Sequence, residues 1–295
     1  MKTISGKVAA ITGAASGIGR AAALLFARNG CSLALSDVDE RGLEETAEAC
    51  RAHGVRVTAT RVDVAEREAV HRWADETARH FGAVHLVLNN AGVALGATVE
   101  DTSYEDFEWL MGIDFWGVVY GTKAFLPHLR AAGEGHIVNV SSLFGLIGIP
   151  TQAAYNAAKF AVKGFTDSLR QELEAEGGRI GVTCVHPGGI QTNIARRART
   201  VHRDGWLDEQ SSREFERLFG TTPERAAERI LSAVLRDQRR LLIGRDAVLL
   251  DLLSRAMPVT FQRIVVAGMK RRRRKMLAAA GEGAGGAGPK LGGAG

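Results

Sequence analysis

The chain has 295 residues, 45% hydrophobic and 24% charged, which suits one large α/β domain with a sizeable core and argues against a fibrous or disordered chain. Its formal net charge is +5, yet Lys270 to Lys275 is an unbroken run of six basic residues, and taking those six from +5 leaves −1 for the remainder. The basic character belongs to the C-terminal segment and not to the fold, which argues against a fold-wide nucleic-acid surface.

Cys31, Cys50 and Cys184 are odd in number and widely spaced, with neither a metal-ligand pattern nor a disulfide framework, so no metal site is expected and a reducing, cytoplasmic setting is. No basic-then-apolar leader with a small-residue cleavage site opens the sequence, and no apolar stretch approaches the roughly 18 residues of a membrane span. The expectation is a soluble protein.

In chain order, the first apolar run, 7–12, predicts a strand. It leads into Thr12-Gly13-Ala14-Ala15-Ser16-Gly17-Ile18-Gly19, which opens a helix over 17–28. A second strand, 32–36, ends at Asp37, and a helix follows over 40–53. A third strand, 55–61, precedes Asp63-Val64 and a helix over 66–81. The fourth, 84–88, precedes Asn89-Asn90-Ala91-Gly92 and a long helix over 104–131. The fifth, 136–140, is followed by Ser142 and by a helix over 153–176 that carries Tyr155 and Lys159. The sixth, 180–185, leads to Pro187-Gly188. Residues 194–222 read as a helical lid bearing Trp206, Phe215, Leu218 and Phe219. A helix over 223–235 and a seventh strand over 240–243 complete a domain spanning 1–250. Residues 251–277 form a helical basic extension, and 278–295 are a Gly/Ala tail too poor in apolar side chains to order.

Strict alternation of strand and helix means an α/β fold: a doubly wound, seven-stranded parallel sheet with helices on both faces and its ligand crevice at the carboxyl ends of the strands. The glycine loop lies between the first strand and first helix, where a dinucleotide pyrophosphate sits on unpaired N–H groups at a helix N-terminus. The competing reading is a turn without a ligand. Asp37, about 20 residues on, suits the adenosine ribose hydroxyls and would repel a 2′-phosphate, so NAD is favoured over NADP, with Arg41 the nearest opposing charge. Asp63, Val64, Asn90, Ala91 and Gly92 fall at the same sheet edge, where each also fits plain turn chemistry.

Tyr155 and Lys159 are four apart on a helix and share a face. A free tyrosine titrates near ~10; the neighbouring ammonium and the positive ring of NAD⁺ lower it toward neutrality. Ser142 is positioned to hold a substrate oxygen against the phenol.

Together the glycine loop, Asn89 to Gly92, Ser142, Tyr155, Lys159 and Pro187-Gly188 resemble the short-chain dehydrogenase/reductase family over 7–243. The resemblance implies a Rossmann sheet of order 3-2-1-4-5-6-7. It implies Ser142 as substrate stabiliser, Tyr155 as acid/base, and Lys159 as modulator of Tyr155 and binder of the nicotinamide ribose. It also implies that Gly13, Ser16, Gly17, Ile18 and Gly19 cradle the pyrophosphate and that Pro187, Gly188, Ile190 and Thr192 meet the nicotinamide end. A homodimer or homotetramer pairing the 104–131 and 153–176 helices follows by the same resemblance. One departure matters. Asp114 stands where the family has an asparagine that holds a relay water next to the lysine. Ionised, it would pair with Lys159 and raise Tyr155; protonated, it would donate much as an amide does.

Leu143, Phe144, Ile149, Pro150 and Gly189 are expected walls, favouring an apolar secondary alcohol or its ketone over a sugar or an acid. Arg196, Arg197, Arg199 and Arg203 open the alternative of a 3-oxoacyl thioester, against the plainer reading of a solvated helix face. A non-catalytic nucleotide-binding regulator on the same fold is the second alternative. The mixture of apolar residues and basic run over 249–276 suits an anionic membrane surface or a frayed, solvated helix. Nucleic-acid binding is not expected there, because no aromatic residues interleave the run.

Overall fold

A computed structural model describes residues 1–191, 198–200 and 220–284. Seven parallel strands form one sheet: β1 Val8–Thr12, β2 Ser32–Asp37, β3 Val57–Arg61, β4 Leu86–Asn89, β5 Gly135–Val140, β6 Ile180–Pro187 and β7 Arg240–Ile243. Their spatial order is 3-2-1-4-5-6-7, as expected. The central strands are buried along their whole length, because helices cover both faces and leave no solvated side for polar alternation.

One face carries α1 Gly17–Arg28, α2 Glu40–Arg51 and α7 Pro223–Leu235, where Ile18, Phe26, Leu43, Ala47 and Ile230 join the core over Ile11, Leu33 and Leu35. The other carries α3 Arg67–Phe81, α5 Gly117–Ala131 and α6 Ala153–Ala175, where Trp73, Phe125, Leu129 and Leu169 pack against Ala10, Val87 and Ile137. Trp73 and Phe125 meet edge to face, with ring centroids 5.0 Å apart.

The helix expected over 104–131 is interrupted. α4 Tyr104–Met111 is followed by a π-helical turn, Gly112–Trp116, before α5 begins. The extra residue in that turn directs Asp114 into the interior, where it is fully buried.

Two differences concern the segments outside this alternation. Arg199–Thr200 is a short strand paired in parallel with Leu95–Gly96, where a helical lid was expected; the remainder of the lid, including Trp206, Phe215, Leu218 and Phe219, lies outside the described residues. At the C-terminus, α8 Arg245–Ala256 runs across residue 250, and α9 Pro258–Ala284 continues into the first residues of the stretch 278–295 expected to lack structure; 285–295 lie outside the described residues. Ala278, Ala279 and Ala280 explain the continuation: alanine gives up the least on entering a helix.

The two C-terminal helices are packed onto the body. Ala247, Phe261 and the half-buried Leu250, Leu253 and Val265 cluster with Leu143, Phe144, Leu146, Ile147 and Ile149. No described helix is long and apolar enough to cross a membrane.

Candidate active site

The residues selected from the sequence gather at the carboxyl ends of the strands. Gly13 has φ +67°, and a Cβ there would lie 2.8 Å from the Ala91 Cα, so only glycine lets β1 and β4 approach at this level. Asn90 Nδ2 donates to the carbonyls of Thr12 and Gly13 at 3.0 and 3.2 Å, while Thr12 Oγ1 accepts from the amides of Asn90 and Ala91, both at 3.0 Å. The Asn90 side chain therefore braces the glycine loop.

Ser16 is extended and its side chain caps nothing. The first-turn amides of α1, from Gly17 onward, are thus left without a side-chain acceptor, the arrangement that suits a phosphate. Asp37 Oδ2 accepts from the Ala15 amide at 2.9 Å and Oδ1 from the Asp39 amide at 3.0 Å. Arg41, the charge that could favour a 2′-phosphate, is highly exposed and pairs with Glu45 at 3.2 Å. Asp63 Oδ1 accepts from the Ala65 amide at 2.9 Å. Val64 is buried against Gly117, where a Cβ would come within 2.8 Å of Val64 Cγ2.

Ser142 follows β5 and begins a 3-10 turn, Leu143–Gly145, its Oγ accepting from the Phe144 amide at 3.1 Å. Tyr155 and Lys159 lie on successive turns of α6. Ser142 and Lys159 both act to lower the Tyr155 phenol, and Lys159 Nζ lies 5.6 Å from the Tyr155 ring centroid. The ring edge-packs with Phe144 at 6.2 Å and joins an apolar cluster with Val93, Leu95, Phe107 and Trp109.

Lys159 Nζ also donates to the Val140 carbonyl at 3.2 Å and lies 3.1 Å from Asp114 Oδ2, with both side chains buried. Asp114 Oδ1 accepts from the Val93 amide at 2.7 Å. A Cβ on Gly92 would sit 3.4 Å from both Lys159 Nζ and Asp114 Oδ1, so Gly92 borders the pair without binding it.

The electrostatics differ from the expectation for Tyr155. Burial raises its phenol above the ordinary value and the Asp114 carboxylate adds to this, against the lowering by Lys159 and by the Ser142 hydrogen bond. Burial alone would lower Lys159, but Asp114 and Tyr155 hold its ammonium above the ordinary value. Burial likewise raises the Asp114 carboxyl, opposed by Lys159 and the Val93 amide. The ammonium thus serves two neighbours at once, and Asp114 takes part of what it would otherwise give the phenol.

At the far edge of the crevice, Pro187 ends β6, and the Gly188 amide donates to the Ile243 carbonyl at 2.8 Å. Ile190 is buried and bridges to Thr221. Thr192 lies outside the described residues, as do Arg196, Arg197 and Arg203. Arg199 is not on a solvated helix face: its guanidinium lies 3.6 Å from the Trp109 ring centroid and pairs with Asp106 at 2.8 Å.

Three features escape the sequence reading. His186 is buried, and its Nδ1 lies 3.1 Å from the Ser142 carbonyl; burial holds it neutral, down to about 4, so Nδ1–H donates and braces the serine from behind. Asp246, in the first turn of α8, accepts from the Gly189 amide at 2.6 Å. A Cβ on Gly188 would come within 2.1 Å of the same carboxylate. Finally, Asn89 Nδ2 donates to Asn139 Oδ1 at 2.8 Å, and Asn139 Nδ2 to Thr166 Oγ1 at 3.0 Å, a polar chain that ties β4 and β5 to α6. The adjacent asparagines at the end of β4 were the visible signal; their different duties were not.

A glycine-cradled helix N-terminus and a Ser-Tyr-Lys group at the strand ends of a doubly wound sheet define a nucleotide-dependent oxidoreductase architecture. The short chain dehydrogenase profile matches residues 7–202, and the chain belongs to that family of oxidoreductases. It is 51% identical over 271 residues to the "putative oxidoreductase SadH" of Mycobacterium tuberculosis, covering 91% of this chain and 97% of the relative. It is 36% identical over 243 residues to a "C alpha-dehydrogenase" of a Sphingobium species, covering 79% of each. Among solved structures, a short chain dehydrogenase/reductase from Burkholderia phymatum in complex with NAD superposes with a TM-score of 0.80 at 32% identity, covering 89% of this chain and 97% of that one.

Proposed function

We propose that the protein is an NAD-dependent oxidoreductase that interconverts an apolar secondary alcohol and its ketone, with Tyr155 as acid/base. The observation that carries the reading is the gathering of Ser142, Tyr155 and Lys159 at the strand ends, with the Lys159 ammonium 5.6 Å from the Tyr155 ring and that ring packed edge-on against Phe144 in the turn that Ser142 begins. In oxidation, the Tyr155 phenolate oxygen takes the alcohol proton while the Ser142 hydroxyl holds the substrate oxygen; in reduction, the phenol returns that proton to the forming alkoxide. Lys159 stabilises the phenolate, and Asp114 limits how far it does so. Bound NAD supplies the hydride acceptor, or in its reduced form the donor.

The cofactor would be held by the α1 amides behind Gly13, Ser16, Gly17, Ile18 and Gly19, with Asp37 at the adenosine ribose. Asp63 and Val64 would lie toward the base, with Asn90, Ala91 and Gly92 along the crevice and Pro187, Gly188, Ile190 and Thr192 at the nicotinamide end. Asp37 bonded to two backbone amides, and Arg41 turned to Glu45, support NAD over NADP. The NAD complex of the Burkholderia relative points the same way.

Apolar substrates are supported by the side chains on both sides of Tyr155: Leu95, Phe107 and Trp109 on one, Leu143, Phe144 and Ile149 on the other. The thioester reading loses support because Arg199 is engaged with Asp106 and Trp109. The gathered Ser142, Tyr155 and Lys159 weigh against a regulator without chemistry. We further propose a homodimer or homotetramer through the outer faces of α5 and α6, where Trp116, in the turn that leads into α5, and Phe160, on α6, are exposed.

The test is oxidation of a panel of apolar secondary alcohols with NAD⁺ and with NADP⁺, by wild type and Tyr155→Phe. The expected result is NAD⁺-dependent turnover that falls by about a hundredfold to ten-thousandfold in the variant, with NAD binding kept. Undiminished turnover in the variant would remove Tyr155 from the chemistry, and a preference for NADP⁺ would overturn the cofactor assignment.

A further inference from the structure

The outer surface of the two C-terminal helices combines a cluster of exposed apolar side chains with a run of positive charge. On α8, Val248, Leu249 and Leu252 are exposed, while Ala247 and Asp251 face inward; the two sets lie on opposite sides of the helix. On α9, Phe261 and Val265 face the body, and the opposite line runs Val259, Arg263, Val266, Lys270, all exposed. Leu252 is 64% and Val259 62% exposed, values that a solvated helix of ordinary composition reserves for polar side chains. From Leu252 to Gly281 the sequence holds eight Lys or Arg and no Asp or Glu.

We propose that this surface of α8 and α9 docks on an anionic phospholipid bilayer. Valine and leucine side chains would enter the headgroup–acyl boundary, while Arg255, Arg263 and the Lys270 to Lys275 run meet lipid phosphates; long basic side chains on an apolar face are suited to this by snorkelling. Two other occupants fit less well. A second copy of this chain, related by a two-fold axis, would bring like-charged segments together. A nucleic acid would satisfy the charges but leave the apolar line without a use, and the single aromatic residue of the segment, Phe261, is already buried against the body.

The inward side of the same helices gives the docking a direction. Phe261 and Val265 pack on the residues that follow Ser142, so a bilayer under α8 and α9 would lie beside the wall of the substrate crevice. The docking itself does not depend on which substrate is turned over, and its test needs no activity.

Sedimentation of full-length protein with vesicles of phosphatidylcholine, and of phosphatidylcholine mixed with phosphatidylglycerol, tests the proposal. Wild type is expected to pellet with the mixed vesicles and remain in solution with the neutral ones. Two variants separate the contributions: glutamine at all six positions of the Lys270 to Lys275 run, and Leu249→Glu combined with Val266→Glu. Each is expected to weaken partitioning by about tenfold or more, with NAD binding as the control for folding. Wild type that stays in solution with mixed vesicles overturns the proposal whether or not the variants fold. Unchanged pelleting of the Leu249→Glu, Val266→Glu protein would reduce the effect to charge adsorption and overturn the docking face. A change of oligomeric state in that variant without lipid would assign the face to contact between copies instead.

Discussion

Asp114 Oδ2 stands 3.1 Å from Lys159 Nζ in an interior that excludes water from both. The carboxylate therefore competes with the Tyr155 phenol for one ammonium, and it raises the phenol and the ammonium together. In Asp114→Asn that anion is gone, Tyr155 ionises at lower pH, and the rising limb of kcat/KM for alcohol oxidation should move toward acid. A pH profile unchanged by the substitution would show that the carboxylate is not charged in the working enzyme.

Asp246 should act on the cofactor end of the crevice without touching the reacting atoms. Removing its carboxylate in Asp246→Ala leaves the half-buried Gly189 amide without its 2.6 Å acceptor, a loss of about 1–2 kcal/mol. The loop from Pro187 to Ile190 should loosen, raising the NAD dissociation constant by roughly tenfold or more, while Asp246→Asn, which keeps an acceptor oxygen, recovers most of the affinity. Equal NAD binding in all three proteins, by fluorescence titration, would assign Asp246 to packing alone.

Two buried histidines should make the protein acid-sensitive. Burial lowers His136 from 6.5 to about 3 and His186 from 6.5 to about 4, so both are neutral in the fold. Their depressed values favour the native state fully above 6.5, and that contribution is lost as pH falls toward 4 and then 3. In this window the unfolded chain binds the extra protons, and stability should fall by up to about 1.4 kcal/mol per pH unit for each histidine. Urea unfolding from neutrality down to pH 4 should reveal the slope, and His186→Gln should reduce it; an identical slope in the variant would contradict the assignment.

Gly121→Ala should destabilise without touching the crevice. A Cβ there would lie 2.1 Å from Asn89 Oδ1, forcing the asparagine away from Asn139 and Thr122. The expected cost is about 1–3 kcal/mol, measured as a lowered denaturation midpoint. A midpoint equal to that of wild type would mean α5 shifts freely to make room.

The strands β1, β4, β5 and β6 were legible because they are short apolar runs that end at a glycine, asparagine, serine or proline belonging at a crevice, while their order in the sheet was implied by the resemblance to the family. The π turn at Gly112–Trp116 was not, since one inserted residue barely disturbs a helical pattern. Arg199 was read as part of a solvated helix because its partners, Asp106 and Trp109, lie far back in the chain. His186 and Asp246 were missed for the same reason: each acts on a backbone group of another segment, and nothing in its sequence neighbourhood marks that target. The direction at Tyr155 depended on the sum of burial, Asp114 and Lys159, and only the first of these cannot be read from residue types.

The family profile ends at residue 202, yet side chains from Asp246 to Val265 brace the Gly189 backbone and the turn after Ser142. Hybrid enzymes joined at or beyond that limit would therefore not exchange an inert appendage. Grafting the final third of a relative onto this chain would exchange the side chains packed on the turn after Ser142 and the carboxylate that holds Gly189, so on the function proposed above selectivity and cofactor affinity would travel with the C-terminal third of such a recombinant.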